Sequence, residues 1–395
     1  MSIAESYRFR IDQVLPSFRM GDAIGLECYY MREAIRSLGI LSDIFAIHRE
    51  EGAGALPMHE FLAHDSHDRI VIHHFSVGCD LPYHLIQSKA YFVLRYHNIT
   101  PPQFFEFPTL EEARATCAQG RSQIPFVESF SRSCWPVSKY NSLELNCARF
   151  DNTEVLPVIH PFERLTRSPI SPELNSKFDQ NPGINILFVG RVVPNKGHHD
   201  LMFYLQQIQR QITSRKVRLL CVGMINEYYF EKKLTEVARY LGLTISSSRV
   251  PTLAADVIFT GGVSEVELAT YFENADVFFS CSDHEGFGVP LIESMFFGIP
   301  VIAHDSSAIA ETLAGAGLLI NKNHPKEHIN SIVQLLSDED RHQQYGRSSL
   351  EGSKKFAWDK LLNQFYRVLE SLPPIQKRNL TFSQRKSTSS KVDLL

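Results

Sequence analysis

The feature that most constrains this sequence is an alternation of short apolar runs with helical periodicities, and it occurs twice. In the N-terminal half, residues 11–15, 41–47, 70–74 and Tyr91–Tyr96 are apolar strand patterns. Leu26, Tyr30, Ala34 and Leu38 recur at helical spacing between the first two, and Gly39 supplies a stop. Over 157–183 the pattern dissolves into Pro161, Pro169, Pro172 and Pro182 among Ser and Asn, which reads as a linker. The alternation then resumes. Ile184–Val189, Val217–Val222, Val277–Ser280 and 301–303 read as strands, and 201–212, 227–241 and 291–297 as helices. Ser264 and Glu267 form a capping box for one further helix, which runs through Phe272. Strand–helix–strand repetition implies mainly parallel sheets covered by helices on both faces, so the fold class is α/β.

The chain has 395 residues, more than one core usually serves, and two domains of roughly 150–200 residues are expected. The domains read as 1–180 and 181–355, followed by a terminal helix over 356–372. That helix carries Trp358, Leu361, Leu362, Phe365 and Leu369 on one face. From 373 to 395 there are five basic residues and one acid, and this tail is expected to be disordered. Its charge suits an anionic membrane surface, or merely keeps the terminus solvated. The formal net charge of −4 excludes a broadly basic nucleic-acid binder. No apolar run approaches the ~20 residues of a membrane span, and the first residues do not form a signal peptide. Seven dispersed cysteines without a Cys-x-x-Cys pair point to reduced thiols and a cytoplasmic protein.

The most informative stretch is His284-Glu285-Gly286-Phe287-Gly288-Val289-Pro290-Leu291-Ile292-Glu293, between a strand and a helix. Gly286 and Gly288 permit close backbone approach, and Pro290 suits a first helical turn. The resulting helix N-terminus is suited to phosphate. Glu285 in the loop and Glu293 in about the first turn bracket that anion site. Carboxylates there are poor phosphate ligands but good acceptors for sugar or ribose hydroxyls. As a dinucleotide fingerprint the segment fails, because Leu291 stands at the third glycine. A second cluster, Gly190-Arg191-Val192-Val193-Pro194-Asn195-Lys196-Gly197, follows the strand Ile184–Val189 and places two cations where parallel sheets bind ligands. Arg191 can grip a diphosphate with two parallel hydrogen bonds, and Lys196 adds a mobile point charge.

Together these stretches resemble the retaining glycosyltransferases of family GT4, whose marker is two glutamates separated by seven residues, here Glu285 and Glu293. Gly298-Ile299-Pro300-Val301-Ile302, Glu311, Ala316-Gly317-Leu318-Leu319 and Phe356-Ala357-Trp358 also match. Ser306-Ser307-Ala308-Ile309 departs from the pattern, since many relatives carry glycines there. The resemblance implies a GT-B fold, two Rossmann-like domains facing across a cleft, with the last helix crossing back to the first. It implies that Arg191 and Lys196 hold a donor diphosphate, with Gly190 in the same turn, and that Glu293 holds the ribose hydroxyls. Glu285 and the backbone of Gly286, Phe287, Gly288 and Val289 would hold the transferred sugar and a phosphate, and Val263 the base. His97, after the strand Tyr91–Tyr96, would lie near the donor sugar and acceptor; a structural histidine is the alternative. Gly21 and Gly25 flank a turn that either approaches the donor phosphate or merely tightens a strand-to-helix connection.

The His73-His74 and His198-His199 pairs and the set His59, His64 and His67 lack carboxylate or thiol partners at ligand spacing, so no metal is expected. Asp338-Glu339-Asp340 reads as an acid cluster at a helix start. The expectation is a cytoplasmic retaining hexosyltransferase with no cofactor, one that meets the inner membrane face only peripherally if at all. Its partners would be a nucleotide-sugar donor, preferably GDP-mannose because Gly21-Asp22-Ala23-Ile24-Gly25 and His97-Asn98-Ile99-Thr100 resemble bacterial polysaccharide mannosyltransferases, and a carbohydrate or lipid-linked saccharide acceptor in polysaccharide or glycolipid assembly. The alternatives are a non-catalytic sugar-nucleotide-binding protein and a GT-B epimerase or phosphorylase.

Overall fold

Among the described residues, fourteen strands fall into two parallel sheets of seven. The first contains β1 (Arg10–Phe18), β2 (Ile44–Arg49), β3 (Leu56–Pro57), β4 (Arg69–Phe75), β5 (Tyr91–Tyr96), β6 (Ser133–Pro136) and β7 (Asn152–Thr153). Its order is β3-β2-β1-β4-β5-β6-β7. The second contains β8 (Ile184–Val189), β9 (Val217–Val222), β10 (Ile245–Ser247), β11 (Val257–Gly261), β12 (Val277–Ser280), β13 (Val301–His304) and β14 (Leu318–Ile320). Its order is β10-β11-β9-β8-β12-β13-β14. A computed structural model of the chain describes residues 9–50, 52, 54–248 and 252–382.

Most central strands are buried along nearly their whole length, as sheets covered on both faces require. In β8, β9 and β12 that burial is apolar apart from one residue each, Asn185, Arg218 and Ser280. In β4, by contrast, Arg69, His73 and His74 are as buried as Ile70, Val71 and Ile72. The first core uses Val14, Phe45, Val71 and Phe92, and the second uses Ile186, Leu219, Val257 and Val277. Each large apolar side chain buried this way contributes roughly 1.5–3 kcal/mol before ordering entropy is charged against it.

Among the described residues the chain divides into two units. One comprises Met1–Gln103, Glu112–Pro161 and Ala357–Leu395; the other comprises Phe104–Glu111 and Phe162–Phe356. The segment expected to be a bare linker is structured. Ser171 caps the helix Pro172–Gln180, with Pro172 in its first turn, and Leu174 and Phe178 are buried. They join Leu165 in the core that contains Leu187 and Leu220, which is why 162–180 belongs to the second unit. The helix Trp358–Glu370 packs within the first unit through Trp358 on Tyr30 and Phe365 on Trp135, at 5.7 and 6.2 Å between centroids.

The expected disordered tail is corrected in its first part. Residues Pro373–Gln376 are helical, and Ile375 and Phe382 are buried apolar anchors that outweigh the basic composition. Residues 383–395 lie outside the described part. None of the seven cysteines, all among the described residues, forms a disulfide, and no helix of the described residues is long and apolar enough to cross a membrane. Asp338 does cap a helix, accepting from the Arg341 N–H, and Ser264 with Glu267 does form the capping box.

Candidate functional site

In the second sheet the strand order reverses between β8 and β12, and ligands of open parallel sheets bind outside the carboxyl ends at such a reversal. Two loops rise there, 190–197 after β8 and 281–288 after β12. The first leaves through Gly190, exposes Arg191, and closes in a 3-10 turn, Pro194–Lys196. Gly197 follows in the left-handed region, at φ 66°. A Cβ at Gly197 would sit 2.2 Å from the Cys281 carbonyl oxygen, so only glycine lets the two loops meet. The Asp283 N–H then donates to the Asn195 carbonyl at 2.8 Å. This docking brings Lys196 Nζ within 2.6 Å of Glu285 Oε1, with the two side chains 17% and 20% exposed.

The second loop is held from behind. The Glu285 N–H donates to the Ser307 hydroxyl at 2.7 Å, and Thr312 donates to the Phe287 carbonyl at 2.6 Å. Ser307 stands at φ 47°, strained for a side chain, and its hydroxyl contact to Glu285 is what it gains there. Lys322 lies 2.7 Å from both Asp200 and Asp283. Burial opposes its charge, but the two carboxylates outweigh burial and raise its pKa.

The helix Val289–Phe296 starts after Gly288, with Pro290 in its first turn and no side chain capping its amino end. That end presents backbone donors and a partial positive charge. Glu293 is the fifth residue of this helix, so it lies one turn further in than the first-turn placement expected. Burial pushes its carboxyl up to about 7; Arg164 opposes the shift and Glu265 adds to it. Arg164 and Glu265 pair with each other at 2.6 Å. Phe287 offers only its backbone, because its ring is buried beside Phe162 and Phe356. Val263 follows β11 and is partly buried against the second unit's core.

The first unit carries a different kind of site. His97 follows β5, and its Nε2 lies 2.8 Å from His74 Nδ1 on β4. His74 Nε2 lies 2.9 Å from Gln13 Oε1 on β1. Glu27, on the helix Ala23–Ser37, pairs with Arg95 of β5 at 2.6 Å and accepts the Ile159 N–H at 2.8 Å. Its other oxygen is 3.6 Å from His97 Nδ1. Burial is the main cause that raises the Glu27 pKa and lowers those of His74 and His97. Donor atoms of Glu27, His74 and His97 lie within 4.8 Å of one another, but the 2.8 Å between the two rings is a hydrogen-bond separation and Arg95 already occupies Glu27. A pocket of about 850 Å³ opens in this unit, lined among others by Ser17, His48, Met58, Cys79 and His84. It sits toward the carboxyl ends of β1 and β2, beside the loop that follows β4.

Gly25 meets the Arg19 carbonyl so closely that a Cβ would lie 1.9 Å from it, and the Ile24 and Gly25 N–H groups donate to Asp22. Gly25 thus serves the tight turn, and its N–H is committed to Asp22. Gly21 is exposed in that turn. In the second unit the structure brings together Lys196, Glu285 and the amino end of the helix bearing Glu293. Gln13, Glu27, His74 and Arg95 were missed as a set, and Lys322 and Ser307 were not recognised as supports. The usable signal was a carboxylate, Glu27, on the apolar stripe of its helix, and a single arginine inside the apolar strand Tyr91–Tyr96.

Residues 175–351 match the profile of the family described as Glycosyl transferases group 1. A GDP-mannose-dependent alpha-(1-6)-phosphatidylinositol monomannoside mannosyltransferase of Mycobacterium tuberculosis is 26% identical over 265 residues, covering 64% of this chain and 63% of its own. A D-inositol 3-phosphate glycosyltransferase of Gordonia bronchialis is 28% identical, over 49% of this chain and 42% of its own. The matched stretches thus span less than two thirds of these relatives' own length. Among solved structures, sucrose-phosphate synthase from Thermosynechococcus elongatus superposes with TM-score 0.67 at 16% identity, covering 92% of this chain and 98% of that one. The Anabaena protein HepE, in complex with UDP and glucose, gives 0.66 at 18% identity, covering 92% of this chain and 100% of that one.

Proposed function

Residues 175–351 belong to the group 1 glycosyl transferases and the chain has the GT-B fold; from that premise we propose that the protein moves a hexose from a nucleoside diphosphate sugar to an acceptor hydroxyl. The observation that carries this reading is the docking of the 190–197 and 281–288 loops at the strand reversal of the second sheet. It sets a cation, a carboxylate and an uncapped helix start side by side.

Breaking a glycosidic bond to a diphosphate leaves negative charge on the phosphate and positive charge on the sugar. Lys196, Arg191 and the helix N–H groups are donors fixed before the reaction, suited to the first charge. Glu285 suits the sugar hydroxyls and Glu293 the ribose. Retention is what the resemblance to the retaining transferases implies, and with no carboxylate of the second unit's described residues singled out as a nucleophile, same-face attack is our choice. In it the leaving phosphate accepts the proton of the acceptor hydroxyl as the new bond forms. With cations in that role no metal ion is required. The pocket of the first unit is our candidate for the acceptor, and its volume is in the range of small-molecule sites. GDP-mannose is the preferred donor, supported by the mycobacterial relative, while the Anabaena protein, also solved in complex with UDP-glucose, keeps that donor in contention.

A thermal-shift panel of UDP, GDP, ADP and their sugars tests the donor. Ligand at ~100 times its dissociation constant stabilises by ~2.7 kcal/mol. Release of nucleoside diphosphate with candidate acceptors, in excess chelator, then separates a transferase from a pure binder. Saturable binding without release would replace this reading by the binding one.

A further inference from the structure

The polar chain in the first unit fixes the position of every proton along it except one. Gln13 Nε2 lies 2.9 Å from the Cys28 carbonyl oxygen, which only accepts, so the amide nitrogen must face that way. Gln13 Oε1 therefore faces His74 Nε2, which must carry a hydrogen to donate across 2.9 Å. His74 is fully buried and neutral, so its Nδ1 is an acceptor, and the proton in the 2.8 Å contact belongs to His97 Nε2. A neutral His97 then turns an unprotonated Nδ1 toward Glu27 Oε2, 3.6 Å away.

Glu27 Oε2 is buried and has no hydrogen-bond partner among the described residues. The other carboxylate oxygen accepts from Arg95 and from the Ile159 N–H. Glu27 Oε2, out of water, thus faces a second acceptor, an arrangement that disfavours itself unless one of the two carries a proton. The remaining charged or titratable groups around the pair are Arg95, which favours the carboxylate, and His73 and His74, both held neutral by burial. Cys28 adjoins Glu27 in sequence, and burial pushes its thiol up. His160 adjoins Ile159 and is packed edge-on against Tyr30.

We propose that Glu27 carries one exchangeable proton on Oε2, aimed at His97 Nδ1, and that Gln13 and His74 are positioning residues that hold His97 as its Nε2–H tautomer to receive it. At higher pH that proton leaves to solvent, and Glu27 becomes the carboxylate that Arg95 compensates. The proton and the tautomer are properties of the unliganded chain, so they stand or fall apart from the transferase reading. If both hold, the pair is the proton-holding group beside whichever substrate hydroxyl reaches His97.

The test is a long-range ¹H–¹⁵N correlation spectrum of the full chain labelled in its histidines, followed through neutral pH. The expected result is His74 and His97 both neutral and both protonated at Nε2, with the His97 Nδ1 signal moving in a single one-proton step. Glu27→Gln keeps an oxygen for Arg95 and Ile159 and presents a permanent N–H to His97 Nδ1, so the step should vanish while the tautomer stays. Gln13→Met should leave His97 with mixed tautomers, which a merely structural glutamine would not do. His97 protonated at Nδ1 in the neutral form, His97 as an imidazolium near neutral pH, or an unchanged step in Glu27→Gln would each overturn the proposal. The wild-type spectrum alone decides the tautomer should a variant fail to fold.

Discussion

The two units each carry a seven-stranded parallel sheet, and their candidate polar clusters stand in different places. In the second unit the paired charges Lys196 and Glu285 stand on loops, 17% and 20% exposed. In the first, the pairs Arg69–Asp12 and Arg95–Glu27 have no exposed side-chain surface at all. The difference teaches that similar sheet plans can keep a reserve of charge at the surface or lock it inside. Surface pairs contribute little to stability and are free to meet a ligand. Buried pairs cost much to break and hold neighbouring groups in place.

The largest effect should follow from breaking the inside pair. Arg95→Ala strips Glu27 of its cation and leaves the Leu156 and Pro157 carbonyls without their donor. Denaturant unfolding should show a loss of about 3–5 kcal/mol, whereas Lys196→Ala should lose about 1 kcal/mol or less. Equal losses would end the contrast between the units. Activity should reverse the ranking for Lys196. Turnover by Lys196→Ala should fall ~10²–10³-fold, in kcat more than in KM, as expected when a preorganised donor to growing charge is removed. A variant within a few-fold of wild type would return Lys196 to being a solvated cation.

Glu293 sharpens the comparison, because it is the second unit's own inward-facing carboxyl. A carboxylate that accepts ribose hydroxyls binds nucleotide in its ionised form, so affinity should rise as pH climbs through about 7. Glu293→Gln should lose about 1.5–3 kcal/mol of nucleoside diphosphate binding above that pH and progressively less below it. Stability runs the other way. A carboxyl raised in the folded state is fully tolerated below its unfolded pKa and costs stability as pH rises through about 7. Glu293→Gln should therefore be the more stable protein on the alkaline side, which denaturation on both sides checks.

The last effect is one in which the units should behave alike. His73 in the first and His198 in the second are fully buried, have no hydrogen-bond partner among the described residues, and are pushed down to about 3 by burial. The unfolded chain takes up a proton at each below ~6.5 that the folded chain refuses, so stability should fall by ~1.4 kcal/mol per pH unit per histidine until pH ~3. Replacing either by Phe should flatten the acid limb by one proton. A flattening in one unit only would show that the other histidine is solvated in solution.

The same contrast explains what could be read from the sequence. Strands such as β5, β8, β9 and β12 were legible because burial on both faces makes them continuous apolar runs. The glutamate pair and the Lys196 turn were legible because loop sites are contiguous along the chain. The helix Glu111–Phe130 was not, since it contains Pro125 and buries a scattered set including Gly120, Gln123 and Glu128. Nor was the Gln13–His74–His97 chain with Glu27, whose members come from three strands' neighbourhoods and one helix, each with an ordinary local context. The segment 157–183 misled by its prolines, one of which starts a helix.

A nucleoside diphosphate seated at the Lys196–Glu285 pair is the proposal on which the other roles in the second unit depend. Titration calorimetry of UDP, GDP and ADP into wild type and Lys196→Ala tests it most directly. Saturable binding of one of these nucleotides to wild type is expected, with GDP preferred, and clearly weaker binding to a Lys196→Ala variant that remains folded. Binding of none of them, or equal binding to both proteins, would contradict it.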